Sequence, residues 1–569
     1  MKIKIYLSLL FEIPLYMIRK TTFFLVFITL SFAAFSQGAG RDEPESWSLN
    51  LRTNPDIIQL EPIDFSLIVK EDRINDLDKG QPWRYGVERS ISINIEEDGL
   101  WTQLEDGGKI WRVAINSPMA LNISVNFADF YLPPGSKLHL YNDTHSDITN
   151  TFSSLQNHSE NQLGTWFVEG ETVWLEYYQP PTTNDRPRLQ VGSIIHGYRL
   201  GRVNHAIGLE RGFNDSGDCN YDVNCSIGAD FDSKKEILKK AVALLNLGNG
   251  YLCSATLVNN TKADKTPYLL TANHCLENSN PALWSIRFNW ISPNPACGTG
   301  ADSGQLNTNF TMSGVEVKAS NSLTDFALVK INNPIPESWD VAFAGWDNSD
   351  ADPLFEVGIH HPNGDIMKIC RDDSGAQKTK VNETEVWLIG GGQLGWGDGW
   401  EIGTTEGGSS GSPLFNENGK IIGQLYAGNA ACDNYEGNGE YDVYGRFAVS
   451  WNAGNSPEER LKDWLDFANT GETSMETLQN ILNVPDFELT GELKIYPNPA
   501  STSITVMNHR YPHLSYEFSN LLGQSIQGGN LSDSMNTISL ENLAEGVYLL
   551  RLTDEESQDS MTKKIIVKR

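Results

Sequence analysis

Three side chains of the kinds that perform nucleophilic catalysis stand in the middle of the 569-residue chain. They are His274, Asp325 and Ser410, in that order. A histidine can take the proton of a serine hydroxyl, and a carboxylate that accepts from the other ring nitrogen fixes the tautomer and stabilises the imidazolium. The hydroxyl can then attack a carbonyl carbon and form an acyl-enzyme. This set of residues therefore predicts hydrolysis by a serine nucleophile.

The surroundings of the histidine and the aspartate favour this chemistry over a structural role. His274 ends an apolar strand signal that begins at Leu269, and Asp325 opens the apolar run that follows it. A core histidine or a polar strand end would explain either residue alone, but their order before a serine favours catalysis. The rival acids do not begin an apolar strand; they are Asp302, Asp340 and Asp347.

The candidate nucleophile lies in the glycine- and serine-rich run 406–414. Such composition usually indicates a flexible loop, but strand-like segments follow this one. A serine between glycines can project its hydroxyl while backbone N–H groups, here those of Gly408 and Ser410, converge as an oxyanion hole. Ser409 and Ser412 are the competing nucleophiles in the same run.

The cysteines and the charge restrict the remaining possibilities. All seven cysteines lie between residues 219 and 432, which in an exported chain predicts disulfides within one domain and one cysteine left over. No Cys-x-x-Cys pair is present, and His274 adjoins Cys275 instead of standing at ligand spacing, so we expect no metal and no cofactor. A formal charge of −30 argues against a nucleic-acid partner.

The chain begins with an export signal, in which basic residues precede the apolar run 23–35 and small residues follow it. The segment before Met17 makes this signal long, so we expect Met17 to be the true start. No other stretch has the length and apolarity of a membrane span.

Composition and turn signals divide the chain further. The β-rich region before the cysteines carries no catalytic pattern, so we expect a propeptide, with a substrate-binding accessory domain as the alternative. The predicted parts are a signal peptide at 1–36, a propeptide at 37–211, a serine hydrolase domain at 212–470, a linker at 471–490 and a small β-sandwich at 491–569.

The segment Gly408–Pro413 resembles the Gly-Asp-Ser-Gly-Gly-Pro signature of trypsin-like proteases, with Ser410 as the nucleophile. Ser409 replaces the usual aspartate, which implies maturation by another route. Most of residues 214–470 also resembles bacterial lysyl endopeptidases of the Achromobacter protease I type. The matching stretches are Cys219–Cys225, Cys253–Asn260, Phe343–Asp347, Ile359–Pro362, Gly390–Gly392, Gly423–Leu425, Tyr444–Arg446 and Leu461–Leu465.

The resemblance implies an all-β fold of two six-stranded antiparallel barrels, with the triad in the cleft between them. It implies an aspartate at the base of the primary pocket, at Asp442, and substrate contacts at Tyr426 and Gly428. The adjacent His360 and His361 are then structural. The implied disulfides are Cys219–Cys432, Cys225–Cys297 and Cys253–Cys275, with Cys370 a free thiol.

These implications predict an endopeptidase that cleaves proteins or peptides after lysine. The alternatives are a trypsin-like protease with arginine or broader specificity, and a catalytically silent surface-binding protein on the same fold. We expect a monomer.

The C-terminal segments Leu493–Pro499, Gly546–Arg551 and Lys563–Arg569 resemble the sorting domain of the type IX secretion system. This resemblance implies the type IX machinery as a partner. It also implies export through the periplasm of a Gram-negative bacterium of the Bacteroidetes kind, to the medium or the cell surface.

Overall fold

A computed structural model describes most of the chain. The described residues are 42–49, 51, 53–200, 216–299, 310–381, 383–390, 399–432, 440–479, 493–508, 514–520, 525–531, 534–554 and 560–569. The predicted signal peptide with Met17, most of the predicted linker, and Gly391 and Gly392 of one family-like stretch lie outside these residues.

The N-terminal region, residues 42–200, is built mainly from two five-stranded sheets. One has the order β1-β5-β10-β7, with β4 on β5, and the other has β3-β11-β6-β8, with β9 on β6. Their apolar side chains share one core. The strands are β1 (Ile57–Gln59), β2 (Trp83–Arg84), β3 (Gly86–Asn94), β4 (Leu100–Gln103), β5 (Lys109–Asn116), β6 (Asn122–Tyr131), β7 (Lys137–Asn142), β8 (Leu163–Gly164), β9 (Val168–Glu169), β10 (Thr172–Gln179) and β11 (Arg188–Gly197), and the helices are α1 (Glu45–Ser48) and α2 (Ile68–Asn75).

The central region contributes strands to two larger antiparallel sheets, which are rich in the β-branched and aromatic residues that favour a pleated surface. The strands are β12 (Tyr221–Asp222), β13 (Val242–Asn246), β14 (Tyr251–Val258), β15 (Tyr268–Ala272), β16 (Ser285–Phe288), β17 (Phe310–Ser313), β18 (Val315–Asn321), β19 (Phe326–Ile331), β20 (Ala342–Phe343), β21 (Glu356–His360), β22 (Lys368–Asp372), β23 (Gln377–Val381), β24 (Thr384–Ile389), β25 (Pro413–Asn416), β26 (Ile421–Gly428), β27 (Asp442–Arg446) and β28 (Leu478–Gln479). The helices are α3 (Asp232–Leu238), α4 (Phe447–Trp451) and α5 (Lys462–Leu465).

The first large sheet has the order β17-β16-β13-β14-β15-β19-β18, and the second has β12-β22-β21-β25-β26-β27-β24-β23. The prediction of six strands in each was wrong, because short strands extend both sheets. Strand β2 of the N-terminal region also pairs with β14 and brings the first sheet to eight strands among the described residues. The N-terminal region is thus joined to the central domain by backbone hydrogen bonds.

The C-terminal region forms one three-stranded and one four-stranded sheet over a common apolar core. Its strands are β29 (Leu493–Tyr496), β30 (Ser503–Asn508), β31 (Leu514–Ser519), β32 (Ser525–Leu531), β33 (Met535–Ser539), β34 (Gly546–Asp554) and β35 (Ser560–Val567). The predicted fold class is confirmed: β structure dominates, with two curled sheets in the centre and a small sandwich at the end.

Candidate active site

His274 and Asp325 are in direct contact where β15 ends and β19 begins. His274 lies in the short 3-10 helix Asn273–Cys275. Its Nδ1 is 2.9 Å from Oδ2 of Asp325, and its backbone N–H donates to Oδ1 at 3.0 Å. Both side chains are buried. The carboxylate therefore fixes the ring and leaves Nε2 as the nitrogen that can accept a proton.

Asp325 is held in a backbone conformation that side chains disfavour. Its φ of 50° lies in the left-handed region, which costs a non-glycine residue about 1–2 kcal/mol. The amide of Gln424 donates to the backbone carbonyls of Thr324 and Asp325, at 2.8 and 3.2 Å. The N–H of Asn273 also donates to the carbonyl of Asp325 at 2.9 Å. These bonds hold the carboxylate toward the imidazole.

A disulfide fixes the other side of the histidine. Cys275 is bonded to Cys253 on β14, across 22 residues of sequence. The two sulfurs and His274 lie close enough to suggest a metal site, with ligand atoms within 4.8 Å of one another. Because the sulfurs are bonded to each other, they are not thiolates and do not form a zinc site.

The run that carries Ser410 is tied to β14 by backbone contacts. The N–H of Ser254 donates to the carbonyl of Ser410 at 2.8 Å, and its hydroxyl donates to the carbonyl of Gly408 at 3.0 Å. A Cβ on Gly411 would lie 2.2 Å from Oγ1 of Thr271, so this tight approach requires glycine. The serine loop is therefore packed against the sheet that carries the histidine.

The hydroxyl of Ser410 contacts a residue from the N-terminal region. It donates to the backbone carbonyl oxygen of Lys79 at 3.0 Å. Nε2 of His274 is buried and makes no hydrogen bond to the part of the chain that the structure describes. The backbone N–H groups of Gly408 and Ser410 make no backbone hydrogen bond within the described residues either. The Ser410 hydroxyl is thus the group of the proposed machinery that contacts the Lys79 carbonyl, while the imidazole nitrogen and the two backbone donors have no hydrogen-bond partner within the described residues.

The side chain of the same lysine enters a pocket whose base is Asp442. The Lys79 ammonium donates to Oδ1 of Asp442, to Oγ1 of Thr405 at 2.7 Å and to the carbonyl of Ala430 at 2.7 Å. Oδ2 of Asp442 accepts from the Trp400 indole at 2.8 Å and from the Thr405 hydroxyl at 2.6 Å. The charge pair is enclosed, with 4% of the lysine side chain and none of the aspartate exposed.

Burial raises the pKa of Asp442 above its ordinary 3.8, while the Lys79 ammonium and the hydrogen bonds from Thr405 and Trp400 lower it in part. Taking a carboxylate out of water is costly unless a cation pairs with it. In this structure the Lys79 ammonium is the cation that pairs with the buried carboxylate of Asp442.

Two further residues implied by the resemblance lie near this pocket. Gly428 pairs with Asp442 between β26 and β27, and a Cβ on it would lie 1.9 Å from Oδ1 of Asp442. Glycine at this position leaves room for the carboxylate. Tyr426 is half-buried and packs with Val386, Leu388 and Val443.

The other histidines and serines near Ser410 make contacts that hold the loop. Nδ1 of His360 is 2.8 Å from the hydroxyl of Ser409, and Nδ1 of His361 is 2.9 Å from the carbonyl of Asp365. Burial lowers the pKa of His361 to about 4, and that of His360 falls well below 6.5 for the same reason. Ser412 is buried. None of these side chains contacts the Lys79 carbonyl among the described residues.

The remaining cysteines pair as the resemblance implied. Cys219 is bonded to Cys432, and Cys225 to Cys297. Cys370 is a buried free thiol that packs with Trp400 and Tyr444 behind the pocket. Burial raises its pKa well above 9.0, which is typical of an unreactive thiol.

Sequence reasoning missed Lys79 and the pocket donors Trp400 and Thr405. Lys79 is separated from Asp442 by 363 residues, and no local motif surrounds it. A signal was nevertheless present. The predicted propeptide contains only four lysines, and Lys79 stands in the turn-forming segment Asp-Lys-Gly-Gln-Pro.

Much of the central region matches a known protein family. Residues 213–445 match the family model of the lysyl endopeptidase C-terminal domain. The predicted resemblance to lysyl endopeptidases is confirmed. A lysyl endopeptidase of Pseudomonas aeruginosa is 26% identical over 280 residues, which are 47% of this chain and 56% of that protein. The chain thus aligns with little more than half of this relative.

Solved structures offer only distant likenesses. Deg5 matches 34% of this chain and 83% of its own at 12% identity, with a TM-score of 0.23. PorZ, a surface component of the type IX secretion system of Porphyromonas gingivalis, matches 55% of this chain and 30% of its own at 12% identity, with a TM-score of 0.13.

Residues 494–568 match the secretion system C-terminal sorting domain. The predicted destination is thereby confirmed: the chain is a secreted or cell-surface protein of a Bacteroidetes-type Gram-negative bacterium. No helix in the described ranges is long and apolar enough to cross a membrane.

Proposed function

We propose that the protein is a secreted serine endopeptidase that hydrolyses peptide bonds on the carboxyl side of lysine. Ser410 is the nucleophile, His274 the general base and then acid, and Asp325 the residue that orients the histidine. The N–H groups of Gly408 and Ser410 form the oxyanion hole. Residues 37–211 act as the propeptide, 212–470 as the protease domain, 471–490 as a linker and 491–569 as the sorting domain.

The arrangement around Lys79 carries the proposal. One lysine places its carbonyl oxygen at the hydroxyl of Ser410 and its ammonium on the buried carboxylate of Asp442. A lysine in the substrate would take the same position before the bond that is cut. The proposed nucleophile and the proposed specificity pocket thus bind two ends of the same lysine residue.

The pocket base favours lysine over arginine. An ammonium has three N–H donors, and Asp442, Thr405 and Ala430 surround it with four acceptor oxygens, of which the Thr405 carbonyl at 3.4 Å is the weakest partner. A guanidinium is a planar fork with five donors and needs a wider set of acceptors. A neutral side chain would leave the carboxylate of Asp442 buried without a cation.

The catalytically silent alternative is disfavoured by the contacts of the triad. His274 is oriented by Asp325, and its Nε2 makes no hydrogen bond within the described chain. A binding protein has no need of an imidazole that a buried carboxylate orients and whose second nitrogen is left without a hydrogen bond.

Hydrolysis of matched peptide amides that differ only at the residue before the bond tests the proposal. The residues compared are lysine, arginine and norleucine, and the protein is compared with Ser410→Ala. We expect turnover that needs Ser410, and a kcat/KM for lysine well above that for the other two. Ser412→Ala is the matched control and should retain activity.

Two results would contradict parts of the proposal. No turnover of any amide by the processed wild-type protein would exclude a protease. Equal kcat/KM values for lysine and arginine would leave a serine protease without the lysine preference.

A further inference from the structure

We infer that the Lys79–Gly80 peptide bond is the first substrate of this protease, and that Ser410 cuts it within its own chain. Until then, the segment around Lys79 blocks the site. The inference rests on the proposed function. It adds a self-processing site well inside the propeptide, far from the predicted propeptide end at Arg211, which lies outside the described residues.

The chain after Lys79 is bound to the protease domain as an extra strand. Trp83 pairs with Leu252, and the N–H groups of Tyr85 and Gly86 donate to the carbonyl of Gly250 at 2.8 and 3.1 Å. An extended segment that adds to an exposed sheet edge is a common mode of peptide binding. Lys79 lies in the turn just before this short strand, so the strand anchors the segment that enters the site.

Apolar contacts hold the same segment in place. Trp83 and Tyr85 are buried in a cluster that also contains Leu252, Trp290 and Ile366 of the central domain. Because this segment belongs to the same chain as the site, it occupies the site at a high effective concentration.

A buried ion network connects the two sides of the bond. Asp72, on α2 before the bond, lies 2.7 Å from the guanidinium groups of Arg84 and Arg199 after it. The hydroxyl of Tyr198 donates to the same carboxylate at 2.7 Å, and Asp76 pairs with Arg199 at 3.0 Å. After the cut this network still holds the fragment that ends at Lys79 to the rest of the chain, and the site opens when that fragment dissociates.

The step balances with water as the co-reactant. In the structure the Ser410 hydroxyl faces the carbonyl oxygen of Lys79, so it first turns to His274, which takes its proton as Oγ bonds to the carbonyl carbon. The bond from that carbon to the Gly80 nitrogen then breaks, and His274 returns the proton to the leaving amine. Water then loses a proton to His274 and attacks the ester carbon. The bond from that carbon to Oγ breaks, His274 returns the proton to Oγ, and a carboxylate at Lys79 and a free amine at Gly80 remain.

The test follows the full chain after purification, by mass spectrometry and N-terminal sequencing of its fragments. We expect a new N-terminus that begins Gly80-Gln81-Pro82. It should appear at a first-order rate that does not change with protein concentration, because the reaction is intramolecular. Lys79→Gln should abolish this terminus, and Lys70→Gln, at an exposed lysine of α2, should leave it unchanged.

A second variant keeps the test informative if Lys79→Gln misfolds. Gly80→Pro keeps Lys79 but replaces the leaving N–H by a ring that crowds the preceding carbonyl. We expect this chain to remain uncut at position 80 and to hydrolyse lysine amides far more slowly than wild type.

The outcomes separate the inference from the proposed function. Turnover of lysine amides by a chain never cut after Lys79, or a cut whose rate rises with protein concentration, overturns the inference alone. A Gly80 terminus in the Ser410→Ala chain assigns the cut to another protease and also overturns it. Absence of both the cut and all amide turnover overturns the proposed function as well.

Discussion

Glu356 should make the protein less stable as the pH rises. This residue lies on β21, fully buried, and its Oε1 accepts one hydrogen bond, from the N–H of Ala376 at 2.5 Å. Its Oε2 has no partner among the described residues. Burial first, and then the neighbouring carboxylate of Asp372, raise the pKa of Glu356 from 4.5 to about 8.

The sign follows from proton binding. Between pH 4.5 and about 8 the folded chain keeps a proton that the unfolded chain releases, so the free energy of unfolding falls as the pH rises through this window. At about 1.4 kcal/mol per pKa unit, the gap corresponds to at most about 5 kcal/mol. Glu356→Gln removes this dependence, although its buried amide adds a penalty that is the same at every pH.

The assay is urea denaturation at pH 4.5 and pH 8, in a Ser410→Ala background that prevents self-digestion. Wild type should lose several kcal/mol more than Glu356→Gln between the two pH values. Exposed Glu458→Gln is the control for loss of a carboxylate as such. If wild type and Glu356→Gln lose the same free energy between the two pH values, Glu356 is ionised in the folded protein and the reasoning is wrong.

Three further predictions concern the site. Gly411→Ala in the Ser410→Ala background should lower the unfolding free energy by about 1–3 kcal/mol more than Gly471→Ala. Both glycines have positive φ, but only a Cβ at position 411 would meet the backbone of a neighbouring strand. Equal losses would show that this close approach does not require glycine. The kcat/KM ratio of lysine to norleucine amides should fall as the pH is lowered, and the fall should begin above pH 3.8, because protonation of Asp442 removes the charge that binds lysine. His274 affects both substrates alike, so it does not change the ratio. A constant ratio would contradict this role of Asp442. Asp72→Asn should speed the release of the cut propeptide on a sizing column without changing the rate of the cut, and an unchanged release rate would show that the ion network does not retain it.

The sequence predicted best where the signal is local. Ser410, His274 and Asp325 each stand in a short segment with its own pattern, and the structure brings two of them into direct contact and the third to the Lys79 carbonyl. The β-rich character of each region also followed from alternation and turns. Lys79 did not, because its role comes from a contact across 363 residues.

The end of the protease domain shows how a local signal misleads. In the sequence, Ser456, Pro457 and Glu459 predict a capped helix that buries Leu461, Trp464 and Leu465. Ser456 and Glu459 form the capping box, but it closes only the 3-10 helix Pro457–Glu459. Arg460 is extended, with φ −149° and ψ 156°, so α5 starts anew at Lys462. Leu461 and Leu465 are buried as predicted, while Trp464 is only partly buried. Packing of the two leucines decides this segment more than its helix signal does.

The contact between Lys79 and Asp442 couples the evolution of the N-terminal region to that of the pocket. A mutation that changes the charge or depth of the pocket at Asp442 also changes how well residue 79 fits it. If only one of the two residues changed, residue 79 would no longer block the pocket, or the chain after it would no longer be cut. Under the proposed self-processing, a change of specificity therefore requires paired changes in the pocket and at residue 79, and the residue at position 79 records which side chain the pocket accepts.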